Sequence, residues 1–545
     1  MVLRTLFNGK TQSITSAAII IAGATLASRA LGVFRDRILA GQFGAGIELD
    51  IYYASFRIPD LVFNLLVLGA ISAGFIPIFL SHLEDGFISK LTKNSDKAWR
   101  LANLVINTLF LVLVAVSLIL IVFSPLIMRL IAPGFDQETL ALTVKVTRIM
   151  YLSPILLGLS SILGGILQTF HRFFVYSLAP IAYNVGIIIG ALFLSPIFGV
   201  MGLAYGVVLG AAAHLLIQIP TVLHLGYRWQ WIFDWHDKGL RQMAKIMLPR
   251  TLSLAVNQLN LIAMTIIASL LAAGSITIFN LANNLQSFPL GLFGISFAVA
   301  AFPSLSLLAT KKGHKDFIYR FSITVRQILF LIIPASILLI VLRAQVVRVV
   351  LGTGLFDWSD TVLTIQTLTF FSLSLFAQAL IPLVVRAFFA LHDSKTPFFS
   401  GLIGALVNIV LALQFVKVFD VAGLALAFSV GSVVNFTILW IALDSKLGQL
   451  KTYSILYATG KMLIAALYMG IVGQGIEYFI EPFTGTQTFL GLLGQSVAVV
   501  IGSAIVYFLT LRWLKSAELD LFISSFKKRF LKKSRNLDLT EAENI

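Results

Sequence analysis

The 545-residue sequence contains no cysteine, which excludes disulfides and thiolate metal sites. Charge is scarce: 12% of the residues are charged, against 58% hydrophobic. A water-soluble chain of this length needs far more charge to cover its surface. Acids are the scarcer sign, 24 against 40 Lys and Arg, for a net charge of +16. The seven histidines are scattered, with no HExxH or similar spacing, so no metal site is expected. No GxxxxGK[ST] loop occurs, so a phosphate-cradling ATP motor of that type is absent. The alternating segments of about ten residues that build membrane barrels are missing too.

What is present is a series of long apolar runs. A helix needs roughly 20 apolar residues to cross the hydrocarbon, and helices satisfy their own backbone hydrogen bonds there. The pattern predicts an all-α polytopic membrane protein with about 14 spans. They fall at 14–40, 50–80, 101–130, 139–168, 176–195, 200–224, 246–271, 275–309, 321–350, 360–391, 397–417, 421–443, 455–476 and 488–511. The first apolar stretch holds Arg29, Arg35, Asp36 and Arg37 and is followed by no A-x-A site. It is therefore expected to be a retained helix rather than a signal peptide.

The loop charges agree with that count. Alternate loops carry Lys90, Lys93, Lys97 and Arg100; Arg172; Arg228, Lys238, Arg241 and Lys245; Lys311, Lys312, Lys315 and Arg320; Lys395; and Lys446 and Lys451. The tail adds Lys527, Lys528, Arg529, Lys532, Lys533 and Arg535. The opposite loops hold Glu48, Asp50, Asp136, Asp357, Asp360, Asp420 and Glu481, with Arg129, Arg343, Arg348 and Lys417 near helix ends. By the positive-inside rule both termini are expected in the cytoplasm. The net positive charge is then a matter of topology, and no nucleic-acid partner is expected.

Internal repetition divides the chain. GAGIELDIYYASFRIPD (44–60) is echoed by AAGSITIFNLANNLQSFP (272–289), and GFIPIFLS (74–81) by AAFPSLS (300–306). An offset of six helices keeps the two halves in the same orientation, a parallel pseudo-repeat. The expected organisation is an N-terminal lobe of six helices (1–226) and an interfacial linker rich in Trp (227–245). A C-terminal lobe of six helices (246–445), two further helices (446–512) and a cytoplasmic tail (513–545) follow. Repeat pairs of this kind place the substrate site at their interface.

The first helix carries the most unusual chemistry. A charge at mid-bilayer costs roughly 2.5–3.5 kcal/mol on insertion scales. Arg29 lies about fifteen residues inside the helix, beyond easy snorkelling to the cytoplasmic surface. Arg29 and Asp36, seven apart, share a helix face, and Arg35 lies beside it. Arg57 and Asp60 in the second span repeat the theme. Two readings stand: an internal Arg–Asp network that ties helices, or a cationic wall for an anionic substrate. Arginine suits phosphate because its planar fork donates two charge-assisted bonds. Lys145, Arg148 and Arg386 are further basic positions, and Asn184, Asn257, Gln258, Asn260, Asn283 and Asn284 are polar groups suited to interhelical hydrogen bonds. The embedded acids, chiefly Asp36 and Asp60, have basic neighbours, so no catalytic residue is expected.

SRALGVFRDRILAGQFGAGIELD (28–50) resembles the opening motif of the MurJ (MviN) lipid II flippase family of the MOP superfamily. RIPD (57–60), GFIPIF (74–79), APGF (132–135), FPSLS (302–306) and RAFFALHDSKTP (386–397) fall in that family's order. The resemblance extends to about residue 445. It implies two six-helix lobes around a central cavity, with helices 455–476 and 488–511 forming a groove for a polyprenyl tail. It implies that Arg29 and Arg35 meet the diphosphate, with Ser28, Asp36 and Asp50 beside them; Arg57, nearer the outer end, and Asn284 are further candidate substrate-binding positions. Asp60, Arg386, Asp393 and Lys395 fall at gating or interface positions. The sequence departs from the family at Phe63, Asn64 and Leu68, where a basic and an acidic residue are usual, and at Asn284, where the family has a cavity arginine.

The resemblance implies a transporter of the bacterial inner membrane, not an enzyme, that flips lipid II by alternating access. No cofactor is expected, and the drive would be the membrane potential or an ion gradient. Membrane lipids and cell-wall synthesis proteins are the other implied partners. Other undecaprenyl-diphosphate-linked oligosaccharides, such as O-antigen or exopolysaccharide units, are an alternative cargo. A MATE-like exporter of small cations would need an acidic cavity; a non-transporting scaffold and an embedded glycosyltransferase are the remaining alternatives.

Overall fold

The computed structural model describes residues 14–68, 74–83, 96–310, 314–448, 450–484 and 488–524. Lys90, Lys93, Lys311, Lys312 and the basic tail residues 527–535 lie outside the described residues. Among the described residues the regular structure is helical, with no strand. Among the described residues nine helices are long and apolar enough to cross a membrane, or ten if the pair Trp358–Ser372 and Leu375–Ala390, bent by 48°, is one span. The chain is thus a multi-pass membrane protein. That criterion does not confirm the expected count of fourteen.

One of the nine, Lys395–Leu447, is 53 residues long, far more than a bilayer needs. Asp420 interrupts it with φ 51° and ψ −138°. Ser400 Oγ donates to the Asn435 carbonyl and side-chain oxygens at 3.0 and 2.7 Å, so the chain folds back on itself there. The segment is two antiparallel helices joined at Asp420.

Local geometry reveals a repeat that the sequence reading did not find. Asp136 caps helix Gln137–Met150 by accepting the Thr139 N–H at 3.0 Å. Asp357, 221 positions on, accepts the Asp360 N–H at 2.8 Å ahead of helix Trp358–Ser372. The next helices end on His171 (φ 56°) and His392 (φ 57°), again 221 apart. Both ends close with the same backbone bonds: Arg172 N–H to the Leu167 carbonyl, and Asp393 N–H to the Phe388 carbonyl. Such closure satisfies carbonyls that a helix end leaves open. FGVMGLA (198–204) then matches FDVAGLA (419–425). The turn residues are Gly199 (φ 58°, ψ −142°) and Asp420 (φ 51°, ψ −138°). Glycine adopts that conformation readily, but a residue with a Cβ is strained in it. Earlier in each half, the second helix widens into i→i+5 turns, at Asn64–Leu68 and Leu290–Ile295. Such turns mark bends and functional sites.

Packing divides the chain into two compact units. One comprises Met1–Ala282, Val350–Thr367 and Ala405–Ala427; the other comprises Asn283–Val349, Leu368–Gly404 and Phe428–Ile545. In the first, Leu39, Leu49, Tyr52, Val146, Met150, Ile187, Leu203 and Val207 form a core. In the second, Phe317, Phe321, Val325, Ile328 and Ile332 make one buried stripe. Their spacing of three and four places them on one helix face, where they pack with Leu383, Ala387, Phe388, Met462 and Ala466.

The segment 227–237 lies along helix Asp96–Ile131 as an extended strap. Asn103 accepts from Tyr227 Oη and the Gln230 N–H, and donates to the Arg228 carbonyl. One turn on, Asn107 donates to the Gln230 and Ile232 carbonyls and accepts from Trp229 Nε1. Trp229, Trp231 and Trp235 stay exposed, the placement of Trp at a membrane–water interface. The expected linker runs to 245, but Lys238 already begins the helix Lys238–Ser269. Asp237 starts it by accepting the Leu240 N–H at 3.0 Å.

Candidate functional site

Helix Ile14–Phe43 presents Ser28, Arg29, Arg35 and Asp36 within the first unit. Arg35 Nε and Nη2 both donate to Asp36 Oδ1, at 3.0 and 2.8 Å. Arg35 Nη1 donates to Asn184 Oδ1 at 3.1 Å. Asn184 in turn donates to the Pro180 carbonyl at 3.0 Å and to Ser28 Oγ at 3.4 Å. The structure thus joins Ser28, Arg35, Asp36 and Asn184 in one network. The Arg35 side chain is 22% exposed and that of Asp36 8%, so the pair is neither sealed nor open. Arg29 is partly exposed and has no hydrogen-bond or ion-pair partner among the described residues. The two readings of the first helix therefore divide by residue: Arg35 is tied into the protein, and Arg29 carries the uncommitted charge. Tyr53 adds a buried hydroxyl without a partner among the described residues.

Arg57 and Asp60 sit in helix Ile47–Phe63. Arg57 Nε donates to Thr265 Oγ1 at 2.6 Å, and Nη2 to Asn280 Oδ1 at 2.7 Å. Asp60 is one turn away, its carbonyl accepting from Asn64 and Gln258. Arg57 therefore links the second helix to helices Lys238–Ser269 and Ser275–Pro289.

Asp50 is 2% exposed. Its Oδ2 accepts the Gly274 N–H, and its Oδ1 accepts the Thr277 N–H and hydroxyl, each at 2.7 Å. The carboxylate thus caps helix Ser275–Pro289 from outside, where backbone N–H groups lack partners and the helix dipole favours negative charge. The approach is tight: a Cβ on Gly274, whose φ is 91°, would meet the Ala45 carbonyl oxygen at 1.9 Å. Asp360 Oδ2 accepts the Ala45 N–H at 2.9 Å, and the Leu355 N–H bonds the Gly41 carbonyl at 2.9 Å. The turn at 41–50 is thereby fastened to 274–277 and 353–360 by backbone groups and two carboxylates. The sequence placed Asp50 beside the substrate and gave Thr277, Asn280 and Thr265 no role. Their partners are more than 200 positions away, beyond any local pattern.

The remaining candidates are spread out. Asn284 is half-buried in helix Ser275–Pro289. Arg386 Nη1 donates to the Pro382 carbonyl one turn back, at 3.0 Å. Arg148 Nε bonds the Ile121 carbonyl at 3.2 Å. Asp393 accepts the Lys395 and Thr396 N–H groups, the Thr396 hydroxyl and Lys446 Nζ, the last at 2.7 Å. Burial opposes ionisation of Asp393, but the bonds from Lys446 and Thr396 outweigh it and hold the carboxyl at about 2. The Lys395 side chain is exposed. Among the described residues no group of three or more His, Cys, Asp or Glu could hold a metal ion.

A sequence model of the family described as lipid II flippase MurJ matches residues 39–515. The chain belongs to the MurJ family. The probable lipid II flippase MurJ of Rhizobium tropici is 28% identical, over 98% of this chain and 99% of that protein. The Vibrio cholerae counterpart, likewise named probable, is 28% identical over 92% of this chain and 97% of its own length. A solved lipid II flippase MurJ in an inward closed conformation superposes with a TM-score of 0.73 at 25% identity, covering 91% of this chain and 99% of that one. An inward-facing MATE family transporter of the MOP superfamily, 15% identical, shares the fold with a TM-score of 0.63 over 78% of this chain and 96% of its own.

Proposed function

We propose that this MurJ-family protein moves lipid II, the lipid-linked peptidoglycan precursor, from the inner to the outer leaflet of the bacterial inner membrane by alternating access. The observation that carries the reading is the arginine pair on the first helix. Arg29 offers an uncommitted guanidinium, and Arg35 is held in reserve by Asp36 and Asn184. A diphosphate offers several anionic oxygens in a geometry that a guanidinium fork matches. It binds Arg29 first and then displaces Asp36 from part of the Arg35 fork. The exchange replaces one charge-assisted bond by another, so it need not cost much.

In this reading the face bearing Asp50 and Asp360 is the outer one, both termini are cytoplasmic, and the latch at 41–50 is the closed outer gate. Outward opening requires Asp50 to release Gly274 and Thr277. Binding at Arg35 alters the helix that leads directly into the latch at Gly41, which couples cargo to gate. The energy comes from the membrane potential or an ion gradient, since one charge crossing 100 mV is worth roughly 2.3 kcal/mol. Cell-wall synthesis proteins are the partners that would supply and consume this cargo.

Asn284, where the resemblance places a cavity arginine, favours one alternative cargo: another undecaprenyl-diphosphate-linked oligosaccharide, such as an O-antigen or exopolysaccharide unit. Depleting the protein and measuring outer-face lipid II with an externally added modifying enzyme tests the proposal. Outer-face lipid II should fall. Unchanged exposure overturns the assignment.

A further inference from the structure

Four rungs of hydrogen bonds tie the second helix to helix Lys238–Ser269 and the turn after it. As positions on the second helix rise through 50, 57, 60 and 65, their partners fall through 274, 265, 258 and 251, so the two strands of the seam are antiparallel. The rungs are unequal. Asp50 and Arg57 carry full charges, and their five bonds to Gly274, Thr277, Thr265 and Asn280 measure 2.6–2.7 Å. Charge-assisted bonds are roughly twice as strong as neutral ones. Gln258 Nε2 reaches the Asp60 carbonyl only at 3.3 Å, and that oxygen already accepts Asn64 Nδ2 at 2.8 Å. Thr251 Oγ1 donates to the Leu65 carbonyl at 3.2 Å. Farther along, Gly74 lies against Met243, where an added Cβ would stand 2.8 Å from the Met Cγ. Pro59 stands between the strong rungs and the weak ones. It offers no N–H to the Ser55 carbonyl and its ring presses on that carbonyl, so the helix bends most easily there. Beyond it the helix passes into the i→i+5 turns at Asn64–Leu68. Every group named belongs to the first compact unit.

We propose that this seam is a one-ended zipper: the second helix swings at Pro59 and parts the Leu65–Thr251 and Asp60–Gln258 bonds, while the Asp50 and Arg57 rungs stay closed. The order follows from what each end loses. Parting the Thr251 end breaks two long, neutral bonds between half-buried residues, and water replaces such partners at little cost. Parting the Asp50 end strips a buried carboxylate of three short bonds, and a buried charge left without donors is far more costly. The kink confines the motion, because the straight segment before Pro59 stays with its two charged rungs. In the orientation proposed above, the Thr251 end faces the cytoplasm, so the swing opens the chain inward with the outer latch shut. The device itself does not depend on which lipid is carried.

The test uses the full chain in detergent, with no lipid cargo. Because the sequence holds no cysteine, spin labels can be placed on two engineered pairs and their separations read by electron paramagnetic resonance. Leu66→Cys with Asn257→Cys reports the weak end, and Glu48→Cys with Ala273→Cys, both exposed positions, reports the strong end. The 66/257 pair should show two separations and the 48/273 pair one. Thr251→Val, which keeps the shape and removes the donor, should raise the longer 66/257 fraction about threefold and leave the 48/273 pair unchanged. Pro59→Ala, which restores the N–H, should lower that fraction. A single 66/257 separation in both the parent and Thr251→Val, or a 48/273 pair that broadens in Thr251→Val, overturns the proposal. So does an unchanged fraction in folded Pro59→Ala, since the bend would then lie elsewhere. None of these readings involves transport, so they stand or fall separately from the flippase assignment.

Discussion

Asp50 Oδ1 accepts both the backbone N–H and the hydroxyl of Thr277, each at 2.7 Å, across 227 positions of sequence. One carboxylate oxygen thus fastens the start of helix Ser275–Pro289 to the second helix of the chain. Hydrogen bonds to a charged group are worth roughly 1.5–3 kcal/mol each, and leaving such donors unmet in a buried place costs a similar amount.

Asp50→Ala should therefore favour the state in which this end is open, by tenfold or more. The chain has no native cysteine, so a single Cys at position 45, beside the latch but outside its side-chain bonds, reports the opening through its rate of thiol labelling. Asp50→Asn keeps one acceptor oxygen and should fall between. Equal labelling in wild type and Asp50→Ala would remove the latch from the gating scheme.

Arg29→Ala and Arg35→Ala should each abolish complementation of a depleted strain while the protein remains at its normal level in the membrane. Arg35→Lys should retain a charge but lose the fork that engages Asp36 and Asn184 together, lowering transport by about tenfold. Full growth of both alanine variants would take the first helix out of the mechanism.

Asp420→Gly should raise the thermal midpoint. A residue with a Cβ held at φ 51° is strained, at a cost on the order of 1–3 kcal/mol. Glycine removes that strain, as the equivalent Gly199 shows at φ 58°. The reciprocal Gly199→Asp should lower the midpoint. A destabilised Asp420→Gly protein would mean that the Asp side chain contributes more than its backbone conformation costs.

Asp393 supplies a pH prediction. Its folded-state carboxyl is held at about 2, below the ordinary value of about 3.9. Its contribution to stability is therefore fully present above that ordinary value and disappears as pH falls through about 2. Lys446→Ala removes the strongest of the bonds that depress it, so its carboxyl moves up toward the ordinary value. The difference in thermal midpoint between wild type and Lys446→Ala should be constant above pH 5 and shrink between pH 4 and 2. A difference that grows on acidification would reverse the assigned sign.

The helical membrane class was legible because apolar length and loop charge are local properties. Positions 14–43 illustrate it: the helix follows from the run of residues, and Arg29 and Arg35 are conspicuous in an apolar setting. The partners were not legible. Nothing near Arg35 points to Asn184, and nothing near Asp50 points to Gly274, because those contacts form only when distant helices pack. The second repeat escaped for another reason. It is written mostly in backbone conformation, at His171 and His392 or Gly199 and Asp420, where the side chains differ or the matching words are short. Asp420 itself read as one more loop acid, since a sequence does not display the φ angle that its position demands.

The paired asparagines beneath the strap have a mechanical consequence. Asn103 and Asn107 rivet residues 227–232 to helix Asp96–Ile131, so strap and helix turn as one splinted body. Any swing of helix Lys238–Ser269 against that body must be absorbed in the few residues before Lys238, where Asp237 grips the Leu240 N–H. The junction between the strap and helix Lys238–Ser269 is thus a short knuckle within the first unit, and stiffening those residues should slow any transport cycle that turns on it without touching cargo or gate.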